Sequence, residues 1–255
     1  MPATSGEREK SRRNPGEDSR FTCTRRLEAR LQRQGWQLVA GCDEVGRGSL
    51  LGPLYAAAVI LDPARPVRGV DDSKKLTAPE RQRLAELIRE RAIAYQVASI
   101  AVTEIDAINV YQASRQAMIR ALSALVPAPA FILTDAMPLS PPGAEPFPIP
   151  HRPLIHGDAR SVSIAAASIL AKVERDAHLV ELDRHYPQYL LAKNKGYGTP
   201  EHLEALRRHG PCAEHRRTFD PVRSFFLPLF PFDPPSPADD GWATIPPESV
   251  SEWQD

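Results

Sequence analysis

Apolar and polar positions along the chain follow two different periods, which predicts a protein of mixed strands and helices. Apolar runs of strand length lie at residues 36–43, 54–61, 95–102 and 130–135. A glycine-rich turn joins the first two runs, so they are predicted to be neighbours in a sheet. The first run lacks alternation, which indicates a strand that is covered on both faces.

Helical periodicity separates and follows these runs. The segment after Thr77 begins with a capping box, Thr77-Ala-Pro-Glu80, and then repeats leucine and isoleucine at helical spacing. A proline-rich loop is predicted over residues 137–153, before a long helix that is rich in alanine and serine. The predicted helices cover residues 24–34, the segment that follows Thr77, and residues 103–125, 161–186 and 200–209, the last of them ended by Gly210.

This order of elements predicts an α/β fold with a mixed sheet, helices on both faces and a helical segment in the last third of the chain. A folded domain is expected over residues 23–230, with its helical part at about 177–230. Residues 1–22 are polar and poor in aromatics, and residues 231–255 are acidic and rich in proline. Both tails are predicted to be disordered.

The charges are unevenly distributed along the chain. The 255 residues carry 32 basic and 32 acidic side chains. Residues 231–255 hold six of the acids and no lysine or arginine, so the rest of the chain has an excess of six positive charges. A polyanionic partner is therefore compatible with the charge. The three cysteines are isolated and the N-terminal sequence has no apolar signal segment, which favours a cytoplasmic location.

Four acidic residues lie where predicted strands end or a helix begins: Asp43, Glu44, Asp135 and Asp158. Side chains at strand ends of an α/β sheet emerge from a rigid base and often form the ligand site. Carboxylates that converge there repel one another by about 4 kcal/mol per pair at 4 Å and an effective dielectric constant near 20, so they need protons or cations. Hard divalent cations meet this need, and a pair of them can hydrolyse a phosphodiester. Each acid alone also fits a turn or a helix cap.

The triplet Gly46-Arg47-Gly48 closely follows the paired acids. It fits a simple turn with a solvated arginine. It also fits a backbone that approaches a substrate closely, with bare peptide groups against a ribose hydroxyl and Arg47 near a phosphate. The triplet alone does not decide between these alternatives.

Four longer motifs occur in an order that closely resembles bacterial ribonuclease HII, of the type 2 ribonuclease H family. They are DEVGRG, DSKKLT, GD followed by AAASILAKVERD, and NKGYGTPEHLEAL followed by EHRRTF. The resemblance runs from about Trp36 to Val222. It implies a ribonuclease H-like mixed five-stranded sheet flanked by helices, with a C-terminal helical segment.

The same resemblance implies an endonuclease that requires Mg²⁺ or Mn²⁺. Such an enzyme hydrolyses the RNA strand of RNA–DNA hybrids and cleaves 5′ of ribonucleotides embedded in duplex DNA, leaving 5′-phosphate and 3′-hydroxyl ends, in RNA primer degradation and ribonucleotide removal. The catalytic, metal-binding carboxylates that it implies are Asp43, Glu44, Asp135 and Asp158. The substrate-binding residues that it implies are Gly46, Arg47, Gly48, Lys74 and Tyr197, the tyrosine packing on a sugar and Lys74 near a phosphate.

Two positions depart from the family pattern. Ala136 follows the third acid, where glycine is usual, and His156 replaces the common lysine before Gly157. Asp158 in place of glutamate, and Arg47 within the glycine triplet, favour type HII over ribonuclease HIII. A nuclease or transposase of the same fold that cleaves DNA, and a non-catalytic hybrid-binding protein, stay open as alternatives.

The remaining features concern partners. The apolar segment 225–230, FFLPLF, fits either docking on the body of the protein or a peptide that binds a replication sliding clamp. The spacing of His178, Glu181 and His185 does not match a zinc motif, so a solvated helix face is expected. Apart from a clamp partner, we expect the protein to be a monomer. Four arginines are expected either to follow the phosphates of a duplex or to be solvated: Arg207, Arg208, Arg216 and Arg217.

Overall fold

A mixed five-stranded sheet forms the centre of the protein. The computed structural model describes residues 22–140, 143 and 145–227. The strands lie in the order β3-β2-β1-β4-β5, with β1 in the middle. β1 pairs with β2 and β2 with β3 antiparallel, whereas β1 with β4 and β4 with β5 are parallel. The strands are β1 (Val39–Val45), β2 (Leu54–Ile60), β3 (Ala94–Ile100), β4 (Phe131–Asp135) and β5 (His151–Leu154).

Helices surround the sheet, and the described elements belong to one compact unit that ends at Phe225. None of the helices in the described part of the chain has the length and apolar character that a membrane span requires. The tails predicted at residues 1–22 and 231–255 lie almost entirely outside the described residues. The helices are α1 (Arg26–Arg33), α2 (Ala78–Arg91), α3 (Val102–Ile108), α4 (Val110–Ser123), α5 (Val162–His185), α6 (Leu191–Asn194) and α7 (Pro200–His209), with short 3₁₀ helices at Pro187–Tyr189 and Val222–Phe225.

Alternate residues of the strands face two separate cores. Ala56 and Ala58 of β2 pack with α4, whereas Ala57 and Val59 pack with α2 and α5. The central strand allows α5 to approach closely, because a Cβ on Gly41 would lie 2.1 Å from the carbonyl carbon of Ser163. The predicted mixed sheet with helices on both faces is confirmed.

Local signals located most of the elements correctly. Thr77 caps α2 through the predicted capping box, and Thr199 and Gly210 bound α7 as expected. The first strand was placed three residues too early: β1 begins at Val39 and runs through the paired acids to Val45, so these acids lie inside the strand.

Two predictions about elements were wrong. The helix expected over residues 103–125 is two helices, because Asn109 has a φ of 65° and its side chain accepts hydrogen bonds from the first amides of α4. The loop expected over residues 137–153 contains most of β5, whose residues pair with β4 although prolines surround them. Both errors come from interactions that helical or strand periodicity does not describe.

Candidate active site

Three aspartates meet at the end of the two central parallel strands. Cys42 in β1 pairs with Thr134 in β4, so the residues that follow them, Asp43 and Asp135, lie side by side on neighbouring strands. Asp158 comes from the turn before α5. Each aspartate offers one oxygen atom, and these atoms all lie within 4.8 Å of one another. Among the described residues this is the one group of three or more acids, histidines or cysteines close enough to hold a metal ion.

Hydrogen bonds from the protein fix two of these carboxylates, those of Asp135 and Asp158. The amide of Gly157 donates to Asp135 Oδ1 at 2.8 Å, which ties the turn before α5 to the end of β4. The amide of Ala159 donates to Asp158 Oδ1 at 3.0 Å, and Lys74 Nζ donates to Asp158 Oδ2 at 2.8 Å. The carboxylates are therefore held in place by the protein itself.

Burial and mutual repulsion make this cluster unfavourable when all its members are charged. Asp43 is only 5% exposed, and its pKa is raised well above the ordinary value. Burial is the largest cause, followed by the negative charges of Asp135, Glu44 and Asp158, while a hydrogen bond from Ser168 acts in the opposite direction. The cluster will therefore take up a proton or a cation.

Glu44 lies beside this group rather than within it. Its Oε1 atom accepts a hydrogen bond from Arg47 Nη1 at 3.3 Å, whereas its Oε2 atom is buried without a partner among the described residues. Burial raises the pKa of Glu44 to about 7, with the charge of Arg47 lowering it and that of Asp135 raising it. Glu44 lines the same cleft as Asp43 and Asp135, and its role as a further ligand stays a prediction.

The carboxylates open into a cleft of about 430 Å³. Eight of the nine predicted site residues line it, and the ninth, Asp158, accepts the hydrogen bond of Lys74. Ala136, one of the two departures from the family pattern, lines the cleft with a φ of 52°, a conformation that favours glycine. The lining residues are Asp43, Glu44, Val45, Gly46, Arg47, Gly48, Ser73, Lys74, Arg81, Asp135, Ala136, Ser168, Lys172 and Tyr197.

The two glycines of the triplet have different reasons for lacking a side chain. Gly46 has a φ of 96°, and a Cβ there would lie 2.3 Å from Arg175 Nε, so the protein itself requires glycine. A Cβ on Gly48 would meet no protein atom within 4 Å. Of the two, Gly48 is therefore the position at which the absence of a side chain leaves room for a ligand. Arg47 lies between them with 46% of its side chain exposed.

Two buried arginines hold this turn. Their structural role was not predicted from the sequence. Arg175 donates from Nε to the carbonyl of Pro53 at 3.0 Å and from Nη2 to Ser49 Oγ at 2.7 Å. Arg216 donates from Nη1 to the carbonyl of Arg47 at 2.9 Å. Both arginines lie inside the motifs quoted above, but nothing in the local pattern shows that they are buried. The expectation that Arg216 is solvated or follows phosphates is wrong, since its side chain is fully enclosed.

Tyr197 and Lys74 both line the cleft. The Tyr197 ring is partly exposed, and the Arg175 guanidinium lies 5.6 Å from its centroid. Lys74 is engaged with Asp158 and lies 3.7 Å from Asp72. Partial burial lowers the pKa of Lys74, but the hydrogen bond and charge of Asp158 outweigh that effect and leave it raised. Lys74 is thus a charged neighbour of the carboxylates, and its contact with a phosphate stays a prediction.

The fold and the site together define a class of protein. A mixed five-stranded sheet with a cluster of carboxylates that could hold a cation where its central parallel strands end is the arrangement of a ribonuclease H-like enzyme. The family model described as ribonuclease HII matches residues 40–225 of this chain. The chain belongs to the ribonuclease HII family and is a ribonuclease H enzyme.

Individual relatives agree with this assignment. The chain is 50% identical over 214 residues to ribonuclease HII of Solibacter usitatus, an alignment that covers 84% of this chain and 90% of the relative. Among solved structures, it matches ribonuclease H2 from Pyrococcus horikoshii OT3 with a TM-score of 0.60 and 27% identity, over 73% of this chain and 95% of that one. It matches Bst-RNase HIII in complex with Mn²⁺ with a TM-score of 0.58 over 74% of this chain and 69% of that one, and at 20% identity this likeness concerns the fold alone.

Proposed function

We propose that the protein is an endonuclease that hydrolyses the RNA strand of RNA–DNA hybrids and cleaves on the 5′ side of ribonucleotides embedded in duplex DNA. Its products carry 5′-phosphate and 3′-hydroxyl ends. The observation that carries this proposal is the meeting of Asp43, Asp135 and Asp158 within 4.8 Å, beside the glycine triplet. Cation-binding and ribose-recognising elements thus share one cleft.

The donor set fits Mg²⁺ or Mn²⁺. All of its donors are carboxylate oxygens, and Glu44 adds a buried oxygen that has no partner among the described residues. Hard divalent cations prefer such oxygen ligands. When bound, a pair of these ions supplies an activated water and stabilises charge on the leaving oxygen of the phosphodiester. The protein contributes the fixed carboxylates. Lys74, which donates a hydrogen bond to Asp158, offsets part of their negative charge.

Recognition of the substrate is assigned to the glycine triplet and Tyr197, which line the same cleft. The open space above Gly48 allows a sugar to approach the peptide groups of the triplet. Backbone contact with a 2′-hydroxyl distinguishes ribose from deoxyribose. Arg47 is exposed enough to reach a phosphate, and the partly exposed ring of Tyr197 provides a flat surface for the neighbouring sugar.

A single assay tests this proposal. A duplex with one embedded ribonucleotide is incubated with Mg²⁺, with Mn²⁺ or with a chelator, and the products are mapped at nucleotide resolution. We expect metal-dependent cleavage at the 5′ side of the ribonucleotide and none in a matched all-DNA duplex. Cleavage of the all-DNA duplex favours a DNA nuclease of the same fold. Binding without cleavage in either metal favours a non-catalytic hybrid-binding protein.

Roles beyond the reaction belong to the same proposal. A cytoplasmic enzyme with this specificity serves the removal of RNA primers and misincorporated ribonucleotides during DNA replication and repair. The sliding-clamp peptide predicted at residues 225–230 stays a prediction: Phe225, Phe226 and Leu227 are exposed, and residues 228–230 lie outside the described residues. The monomeric state is likewise an expectation.

A further inference from the structure

Two fully buried histidines, His202 and His215, face each other behind the cleft wall that carries Tyr197. Their Nε2 atoms lie 3.2 Å apart, and neither ring is exposed to solvent. Burial lowers the pKa of both, that of His215 to about 4. Buried imidazoles are expected to be neutral, and the reaction proposed above gives them no role.

The hydrogen bonds around the pair specify which nitrogen of each ring carries the proton. The amide of Cys212 donates to His215 Nδ1 at 3.0 Å, so this nitrogen is an acceptor and the proton of His215 is on Nε2. The carbonyl of Tyr197 lies 2.9 Å from His202 Nδ1, and a carbonyl only accepts, so the proton of His202 is on Nδ1. His202 Nε2 then accepts from His215 Nε2.

The result is a hydrogen-bond chain with one direction. It runs from the Cys212 amide through His215 and His202 to the carbonyl of Tyr197. The amide of Thr199 donates to the same carbonyl at 2.8 Å. A tyrosine whose backbone is held by two donors presents its ring to the cleft at a defined position.

The same series of hydrogen bonds also joins the two segments that contact the glycine turn. Gly196, beside Tyr197, accepts a hydrogen bond from the Leu50 amide at 2.8 Å. Next to His215, Glu214 accepts from the Gly52 amide at 2.8 Å, and the Arg216 amide donates to the Leu50 carbonyl at 2.9 Å. The histidine pair therefore links the Tyr197 loop to the segment that carries His215, and both are hydrogen-bonded to the residues that follow the glycine triplet.

We infer that His202 and His215 are positioning residues that hold Tyr197 in register with the glycine triplet, through a neutral pair with defined tautomers. This inference rests on the proposed function, because it assigns Tyr197 to substrate recognition. It concerns binding of the nucleic acid and not the carboxylate chemistry.

The tautomers can be measured in the intact protein without its substrate. Long-range proton–nitrogen NMR correlations at neutral pH should show His202 protonated at Nδ1 and His215 protonated at Nε2. This readout does not depend on nuclease activity. Protonation of His202 at Nε2, or a charged ring in either position, overturns the inference even if the enzyme cleaves its substrate.

Two variants of one residue separate positioning from folding. In His202→Asn the side-chain amide can replace Nδ1–H as the donor to Tyr197, but His215 loses its acceptor. In His202→Gln the side-chain oxygen can replace Nε2 as that acceptor, but the donor to Tyr197 is lost. His202→Gln should therefore be the more stable variant in thermal unfolding, and yet have a KM about tenfold above wild type, as expected for loss of one hydrogen bond. His202→Asn should stay within about threefold of the wild-type KM.

A double-variant comparison completes the test. In a Tyr197→Ala background the difference in KM between the Asn and Gln variants at position 202 should disappear, because the ring that they position is gone. Equal KM values for the two variants in the Tyr197 background, or a difference that persists without Tyr197, overturn the inference. Failure of the wild-type protein to cleave a ribonucleotide-containing duplex overturns instead the proposed function, and leaves the tautomer measurement as the test of the pair.

Discussion

Replacing Asp43 by asparagine should abolish metal-dependent cleavage and at the same time stabilise the metal-free protein. Asp43 is buried against two further aspartates, with oxygens of the three groups within 4.8 Å. Its pKa is raised by burial and by its acidic neighbours, so the folded state binds a proton that the unfolded state releases. Asparagine has nearly the same shape, keeps an acceptor for the Glu44 amide and carries no charge.

The size of the gain follows from proton linkage. A carboxyl whose folded pKa exceeds its unfolded pKa loses stability as pH rises through the interval between the two values. Each pH unit above the ordinary aspartate pKa of 3.8 lowers the free energy of unfolding by about 1.4 kcal/mol, until the pH reaches the pKa of the folded state. Whatever the folded pKa, proton uptake thus limits this loss of stability to at most about 4 kcal/mol at pH 7 and about 2 kcal/mol at pH 5. We expect Asp43→Asn to raise the metal-free unfolding temperature at pH 7, and to raise it by less at pH 5.

Thermal unfolding in a chelator and in Mn²⁺ provides the assay. The wild type should gain about 2.7 kcal/mol at a metal concentration one hundred times the dissociation constant, whereas the variant should gain much less. Asp62→Asn is the matched control, since Asp62 lies in an exposed turn after β2 and caps the Ala64 amide at 2.8 Å. A variant less stable than wild type in chelator at pH 7, or one with an undiminished response to Mn²⁺, would refute the reasoning.

Further predictions concern the loop that carries the triplet. Gly46→Ala should destabilise the protein by about 2 kcal/mol or more in denaturant unfolding, because the new Cβ meets Arg175 and φ is positive, whereas Gly48→Ala should fold normally and lose affinity for the ribonucleotide-containing duplex. Equal stability of the two alanine variants would contradict the assigned roles. Arg47→Ala should retain its fold and reduce the preference for a ribonucleotide junction over an all-DNA duplex, and an unchanged preference would remove Arg47 from recognition. Arg175→Lys should lower the free energy of unfolding by about 3 kcal/mol, because an ammonium group cannot reach the Pro53 carbonyl and Ser49 together. A loss below about 1 kcal/mol would show that the loop does not depend on the guanidinium group.

Local periodicity predicted the parts of the fold that local interactions determine. The capping box at Thr77 and the run of β2 are encoded within a few residues, and both were placed correctly. β5 was missed because its four residues, His-Arg-Pro-Leu, become a strand through pairing with β4 rather than through their own propensity. The helix break at Asn109 is encoded locally, since its side chain accepts from the amides of Tyr111 and Gln112, but apolar periodicity does not register such a cap.

The site shows the same division between local and long-range information. Acids at strand ends are visible in the sequence, and the structure brings Asp43, Asp135 and Asp158 together as expected. The burial of Arg175 and Arg216 was not visible, because arginine is ordinarily a surface residue and its partners here are backbone carbonyls far along the chain. Any carbonyl can serve as such a partner, so the sequence carries no complementary residue type to reveal the contact.

The buried arginines donate to uncharged oxygen atoms, so substrate recognition should depend little on metal binding. Arg175 and Arg216 hold the glycine turn through neutral acceptors, so these contacts do not change when charges at the carboxylates are neutralised by protons or cations. Ion pairs from Lys74 to Asp158 and from Arg47 to Glu44 join the carboxylates to the cleft wall, and in both pairs the cation is partly exposed while the carboxylate is buried. The ribose-recognising wall should therefore keep its shape without metal, and hybrid binding should survive the loss of Asp43 while cleavage does not.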